Sequence, residues 1–141
     1  MTLIEIVNEF EKIARKQPNI NYVGNGDIYS LNGLPNIDYS VFFITQSEHQ
    51  QSENTVTYNL TLYYVDRVIK DGDNTLSVQS TGMMVLANII NIFNQLNPDV
   101  EVDYDINYTT FTHKFTDDCA GVFCSVSITA DADLGICGEN Y

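Results

Sequence analysis

Glu101, Asp103 and Asp105 alternate through the segment Val100 to Lys114, and no other set in the 141 residues has a type and spacing closer to chemistry. On an extended strand such alternation puts carboxylates on one face, about 7 Å apart at each step. Paired carboxylates do general acid and base work in hydrolases, and oxygen-rich clusters bind calcium. Both uses need groups that converge on a point, whereas a strand lays them in a row. The three acids therefore read as an acidic stripe, solvated or facing a channel, ahead of a calcium site or a catalytic pair.

Other candidates have simpler explanations. Asp71-Gly72-Asp73-Asn74 opens like a calcium loop, but Thr75 to Val78 lack the later acidic ligands, so a turn and helix N-cap account for it. In Asp117-Asp118-Cys119 the carboxylates would raise the thiol pKa and blunt its reactivity. His113 reads as a polar cap on a sheet face, and Gly24-Asn25-Gly26 as a turn too short to cradle phosphate. Three cysteines, at 119, 124 and 137, with two histidines and no CxxC support neither a disulfide framework nor a zinc site. Cys124 is expected in the core. No catalytic residue, cofactor or metal is expected, and the chain does not read as an enzyme.

The composition narrows the class. A chain of this length buries about 70% of the surface its unfolded form exposes, so one domain spanning 1–141 is expected. Apolar residues make up 44% and charged residues only 18%, with nine Tyr and seven Phe. Asn, Thr, Ser, Gln and Tyr must then cover much of the surface, and such groups can be buried against a partner without stranding a charge. The net charge is −13, a field that repels nucleic acid and speaks against sequence-specific DNA binding. There is no run of about 18 apolar residues, and Glu5 stands where a signal peptide would carry base, so no membrane role and a cytoplasmic origin are expected.

The elements that position these residues follow from periodicity. Leu3, Ile6, Val7, Phe10, Ile13 and Ala14 form a helical stripe from Leu3 to about Gln17, opened by a Thr2/Glu5 capping box and stopped by Pro18. Short strands are expected at Ile20 to Val23 and Tyr39 to Gln46. The polar run 47–54 is expected to be a long mobile hairpin loop. Thr55 to Asp66 alternates Val56, Tyr58, Leu60, Leu62 and Tyr64 against Thr55, Thr57, Asn59, Thr61 and Tyr63, a half-buried antiparallel strand. A helix follows from about Thr75 to Leu96, with Leu76, Met83, Leu86, Ile89, Ile90, Phe93 and Leu96 assigned to the sheet. Val100 to Lys114 is expected to be the longest strand and Val122 to Ala130 its partner. The tail 131–141 is expected to be flexible and acidic. The fold class is α+β: an antiparallel or mixed sheet with a long helix across one face and a short N-terminal helix.

The long helix carries no charge between Asp73 and Asp99, and a solvated helix of that length normally displays Glu and Lys pairs. Its polar face is expected to touch a neighbour through Gln79, Asn88 and Asn91. Arg67 and Lys70, two of six basic residues, are candidates for pairing across subunits, although local pairs with Asp66 or Asp71 are the simpler reading.

The stretches Leu3 to Phe10, Tyr58 to Arg67 and Val78 to Phe93, in this order, resemble the tail terminator and tail-completion proteins of tailed bacteriophages, and the Asn, Asp, Thr and Tyr richness is similar to virion proteins of crAss-like phages. The resemblance covers nearly the whole chain and is one of architecture. It implies a homo-oligomeric ring of six or twelve subunits in the neck of the virion, assembled in the host cytoplasm. That ring would join portal or connector to tail, with DNA passing through its channel. It implies an inter-ring loop at Glu48, His49, Gln50, Gln51 and Glu53, and makes Glu101, Asp103 and Asp105 candidates for an acidic stripe, exposed or facing the channel. Its neighbours would be adjacent neck, portal or tail-tube proteins. Two departures, an insert at 25–36 and the tail at 133–141, leave the layer of the neck open. The alternative is a small acidic binding module, an inhibitor or immunity-type protein whose charge mimics nucleic acid.

Overall fold

The computed structural model describes residues 1–28, 38–69, 74–114 and 118–132, the side chains of His113 and Lys114 excepted. Helix α1 spans Leu3–Arg15, strands β1 Tyr22–Asn25, β2 Val41–Gln46, β3 Gln50–Gln51 and β4 Thr55–Arg67. Helix α2 spans Thr75–Leu96, followed by β5 Glu101–Val102, β6 Tyr108–Lys114 and β7 Cys119–Asp131. The seven strands form one mixed sheet, so the chain is α+β.

The centre of the sheet is β4 paired antiparallel with β7, from Thr55↔Asp131 to Arg67↔Cys119. Each flank is shared by two short strands. On the β4 side, β2 runs along Leu60 to Val65 and β3 along Val56 and Thr57; on the β7 side, β6 lies beside Cys119 to Cys124 and β5 beside Ile128 and Thr129. Strand β1 joins β2 in parallel and forms one edge.

Period-two alternation in β4 and β7 gives the sheet two unlike faces. Leu60, Leu62 and Tyr64 meet Val122, Cys124, Val126 and Ile128 in one cluster with both helices. Phe10 of α1 stacks on Phe93 of α2, ring centroids 4.2 Å apart. Helix α1 begins with the expected capping box: Thr2 Oγ1 accepts from the Glu5 amide at 3.3 Å, and the Thr2 amide donates to the Glu5 carboxylate at 3.1 Å. The Thr2 hydroxyl, which donates to the Glu5 carboxylate at 2.9 Å, and then the Thr2 amide hold the Glu5 carboxyl below its ordinary value.

Three expectations need correction. Of the α2 residues assigned to the sheet, Leu86, Ile89, Ile90 and Phe93 are buried, but Leu76 is 79% exposed and Met83 and Leu96 are exposed as well. The buried face is rotated toward Val78, Gly82 and Val85. Gly82 is the cause: a Cβ there would stand 2.6 Å from Val122 and 2.7 Å from Tyr64, so only glycine lets the helix close this tightly on the sheet.

Second, Val100 to Lys114 is not one strand. It divides into β5 and β6, with the Asp105 amide turned back to donate to Asp103 Oδ1 at 3.0 Å, and the longest strands are β4 and β7. Third, the run 47–54 is not a simple loop. Gln50 and Gln51 pair with β4, and the Ser52 amide closes the turn onto the Thr55 carbonyl at 2.8 Å.

By length and mean hydropathy alone α2 would satisfy the requirements of a membrane span; its seven residues buried against α1 and the sheet are the packing of a core helix. The expected tail 131–141 lies outside the described residues beyond Ala132, as do Lys70 and the Asp71 to Asp73 turn.

Candidate functional site: the open sheet face and the charge-free helix

The sheet face away from the helices divides along its length. At one end Val41, Phe43, Val65, Cys119 and Ile28 form a small second cluster bordered by Tyr22, Tyr39, Tyr63 and Phe111. Phe123 completes it, with ring centroids 5.3 Å from Tyr63 and 6.3 Å from Phe111. The Arg67 guanidinium lies over the Tyr39 ring, 5.1 Å from its centroid, a cation–π placement; Asp71, one of its two expected local partners, lies outside the described residues. At this end the Asp66 carboxyl is pushed above its ordinary value by burial, against the pull of the Arg67 amide.

The other end is polar. Thr57, Asn59, Ser127 and Thr129, which are cross-strand partners, line a cleft of about 600 Å³ with Gln50, Glu101 and Asp103. Thr57 and Thr129 share a hydroxyl bond of 2.9 Å, and the Ser127 hydroxyl donates to Asn59 Oδ1.

The segment 47–51 is fastened here. Residues 58 and 59 fall between the stretches of β4 that pair with β2 and β3, so the Asn59 amide has no strand partner on that side. The His49 ring supplies one: Nδ1 accepts from the Asn59 amide at 3.1 Å, and Nε2 faces Gln46 Oε1 at 3.1 Å. That pair of contacts selects the tautomer with hydrogen on Nε2. The Asn59 side chain donates to the Glu48 carbonyl at 2.8 Å. Glu48, Gln50, Gln51 and Glu53 remain exposed. Sequence reasoning assigned this segment to contacts alone and missed the role of His49, for which the only signal was a histidine in an otherwise polar run.

Glu101, Asp103 and Asp105 are exposed, but one strand does not carry all three. Glu101 is on β5 opposite Thr129, Asp103 follows it into the cleft, and Asp105 sits in the turn beyond. Among the described residues no group of His, Cys, Asp and Glu is placed to hold a metal ion. Cys119 and Cys124 are buried; Cys124 lies in the main core cluster as expected, and that burial pushes its thiol up to about 12. His113 is in β6 with its side chain outside the described residues.

The residues expected at subunit contacts separate. Gln79 donates to the Phe111 carbonyl at 3.2 Å, and Asn88 donates to Gln17 on α1 at 3.0 Å, so both hold the fold together. Asn91 is exposed beside a depression of about 200 Å³ that it shares with Ala87, Tyr104, Ile106 and Tyr108. Asn74 stands at the N-cap position of α2 without a side-chain cap bond. It bridges the exit of β4 instead, accepting from the Ile69 amide at 2.8 Å and donating to the Arg67 carbonyl at 2.9 Å.

The outward face of α2 combines Leu76, Met83 and Met84, all exposed, with Ser80 and Asn91, and no charge. It offers a surface that water solvates poorly and that a partner can cover without desolvating an ion. No protein-family model matches the chain, and no curated protein matches it either.

Proposed function

We propose that the chain is a structural virion protein of the phage head-to-tail connection, a tail terminator or neck ring subunit that assembles with copies of itself around the DNA channel. The observation that carries this reading is the outward face of α2. Over 22 residues it displays no charged side chain, while Leu76 is 79% and Met84 65% exposed. A helix that ended its life in water would normally carry charged pairs there, and exposed large apolar groups on one helix face mark an interaction surface.

Two features agree with it. The net charge of −13 suits a channel wall, because a polyanion finds no place to adhere. Among the described residues the short strands β1 and β5 end the strand order of the sheet, and unpaired strand edges are templates for pairing with a second chain. The rival acidic binding module draws on the same charge but gives the α2 face no role.

Negative-stain imaging of the purified protein tests the reading. Closed rings with a central channel are expected, and their symmetry would fix the subunit number. Single particles at every concentration, together with capture of a basic enzyme, would transfer the assignment to the binding module.

A further inference from the structure

Basic residues are scarce in this chain, and their distribution is uneven. Three of the six, Lys12, Arg15 and Lys16, fall within two turns of α1. Arg15 is engaged with the buried Glu11, 3.7 Å away. Lys12 and Lys16 instead line, with Glu9 on the same helix face, a groove of about 290 Å³ between α1 and α2 whose apolar lining is Ile13, Ile92 and Leu96. Leu96 is 59% exposed there. An apolar floor with a lysine rim fits an occupant that has one apolar knob flanked by acid.

The chain carries such a knob. In the break between β5 and β6, Tyr104 is 52% exposed between Asp103 and Asp105, both exposed, and the Asp103 to Asp105 turn holds the three in a compact projection. Groove and knob lie on different flanks of α2. Ile92 and Leu96 face α1, which packs beside β1, whereas Ala87 and Asn91 face Tyr104 at the β5 end of the strand order. One copy therefore cannot satisfy its own groove, and a knob on one side with a groove on the other is the arrangement of a head-to-tail contact, which gives a ring where the rotation between copies closes.

We propose that Tyr104 of one copy enters the α1–α2 groove of the next, with Asp103 and Asp105 set against Lys12 and Lys16. This rests on the ring reading above and adds a directional contact to the charge-free face of α2. Tyrosine fills such a position well, since it buries a large apolar ring and keeps its hydroxyl at the polar rim. The carboxylate–ammonium pairs set the direction of docking and reject like-charged alternatives.

Charge exchange tests it. The unsubstituted protein is weighed first by light scattering, then Lys12→Glu/Lys16→Glu, then Asp103→Lys/Asp105→Lys, with circular dichroism to establish that each variant is folded. Each double variant alone is expected to fall to the mass of a monomer, and an equimolar mixture is expected to recover the assembled mass, because every knob then finds a groove of opposite sign. Rings that survive either exchange, a mixture that fails to reassemble, or a discrete two-fold dimer would overturn the inference and leave the ring reading standing or revised on other surfaces. Failure of the unsubstituted protein to assemble at any concentration would instead remove the ring reading itself, and this inference with it.

Discussion

The two faces of the sheet share the strands β4 and β7, yet they are held by different forces. The covered face is apolar and close-packed: Leu60, Leu62 and Val122 are 0% exposed beneath the helices. The polar half of the open face uses hydroxyl and amide pairs, with Thr57 on Thr129 and Asn59 on Ser127, and leaves them next to water. Burial of an apolar side chain stabilises by about 1.5–3 kcal/mol, whereas a hydrogen bond beside solvent contributes about 1 kcal/mol net. The difference assigns stability to one face and frees the other, with the outward side of α2, for contact.

Truncation of one residue on each face gives the largest contrast. Phe93→Ala removes a ring that is 0% exposed and stacked on Phe10, and should cost about 3–5 kcal/mol in urea unfolding. Thr129→Val on the open face should change stability by less than about 1 kcal/mol; a loss comparable to that of Phe93→Ala would mean that the faces are not energetically distinct. Gly82→Ala should come next. The added methyl meets Val122 and Tyr64, an overpacking cost of about 1–3 kcal/mol that outweighs the gain in helix propensity of up to about 1 kcal/mol.

Smaller effects sharpen the picture of the polar end. His49→Ala leaves the Asn59 amide without its acceptor and should cost about 1 kcal/mol, with faster hydrogen exchange at Asn59 than at Leu62. Uniform exchange along β4 would show that the imidazole does not complete the ladder.

The pH response should be smallest and has a definite sign. Asp66 has its folded pKa raised by burial above the ordinary 3.8, so the folded chain holds that proton more firmly than the unfolded one. Asp66 therefore detracts from stability at neutral pH, and the deficit shrinks as pH falls through its folded pKa. Asp66→Asn should be more stable at neutral pH, converging with the parent below the ordinary value. Glu5 works the other way: its lowered pKa supplies stability that is present above the ordinary 4.5 and lost as pH falls through the folded pKa. A parent and an Asp66→Asn variant with parallel pH profiles would contradict the assignment.

Local rules carried much of this fold. Pro98 and the charge-free pattern marked α2 at Thr75–Leu96, the Thr2/Glu5 box marked the start of α1, and alternation assigned the β4 faces correctly. The inward face of α2 was misjudged because large apolar residues were taken as the contact, while the closest approach is made by Gly82, which has no side chain to register in a hydrophobic pattern. The single strand expected under the three acids failed for a related reason. Strand alternation persists in the sequence of Val100 to Tyr108, but the Asp103 carboxylate accepts the Asp105 amide just past the bond to β7 that the Asp103 amide makes with the Ser127 carbonyl, a local competition that periodicity does not record. The Glu11 contact, in which Asn25 donates to both carboxylate oxygens at 3.4 Å, had no sequence signal at all.

The central claim is that the charge-free side of α2 is covered in the working assembly. Light scattering of the unsubstituted protein across concentration, beside Leu76→Glu/Met84→Glu, tests it most directly. The account predicts a mass of six or twelve subunits for the first and a folded, dissociated protein of unchanged thermal stability for the second. An unsubstituted protein that stays monomeric, or a doubly substituted one that assembles as well as its parent, would contradict it.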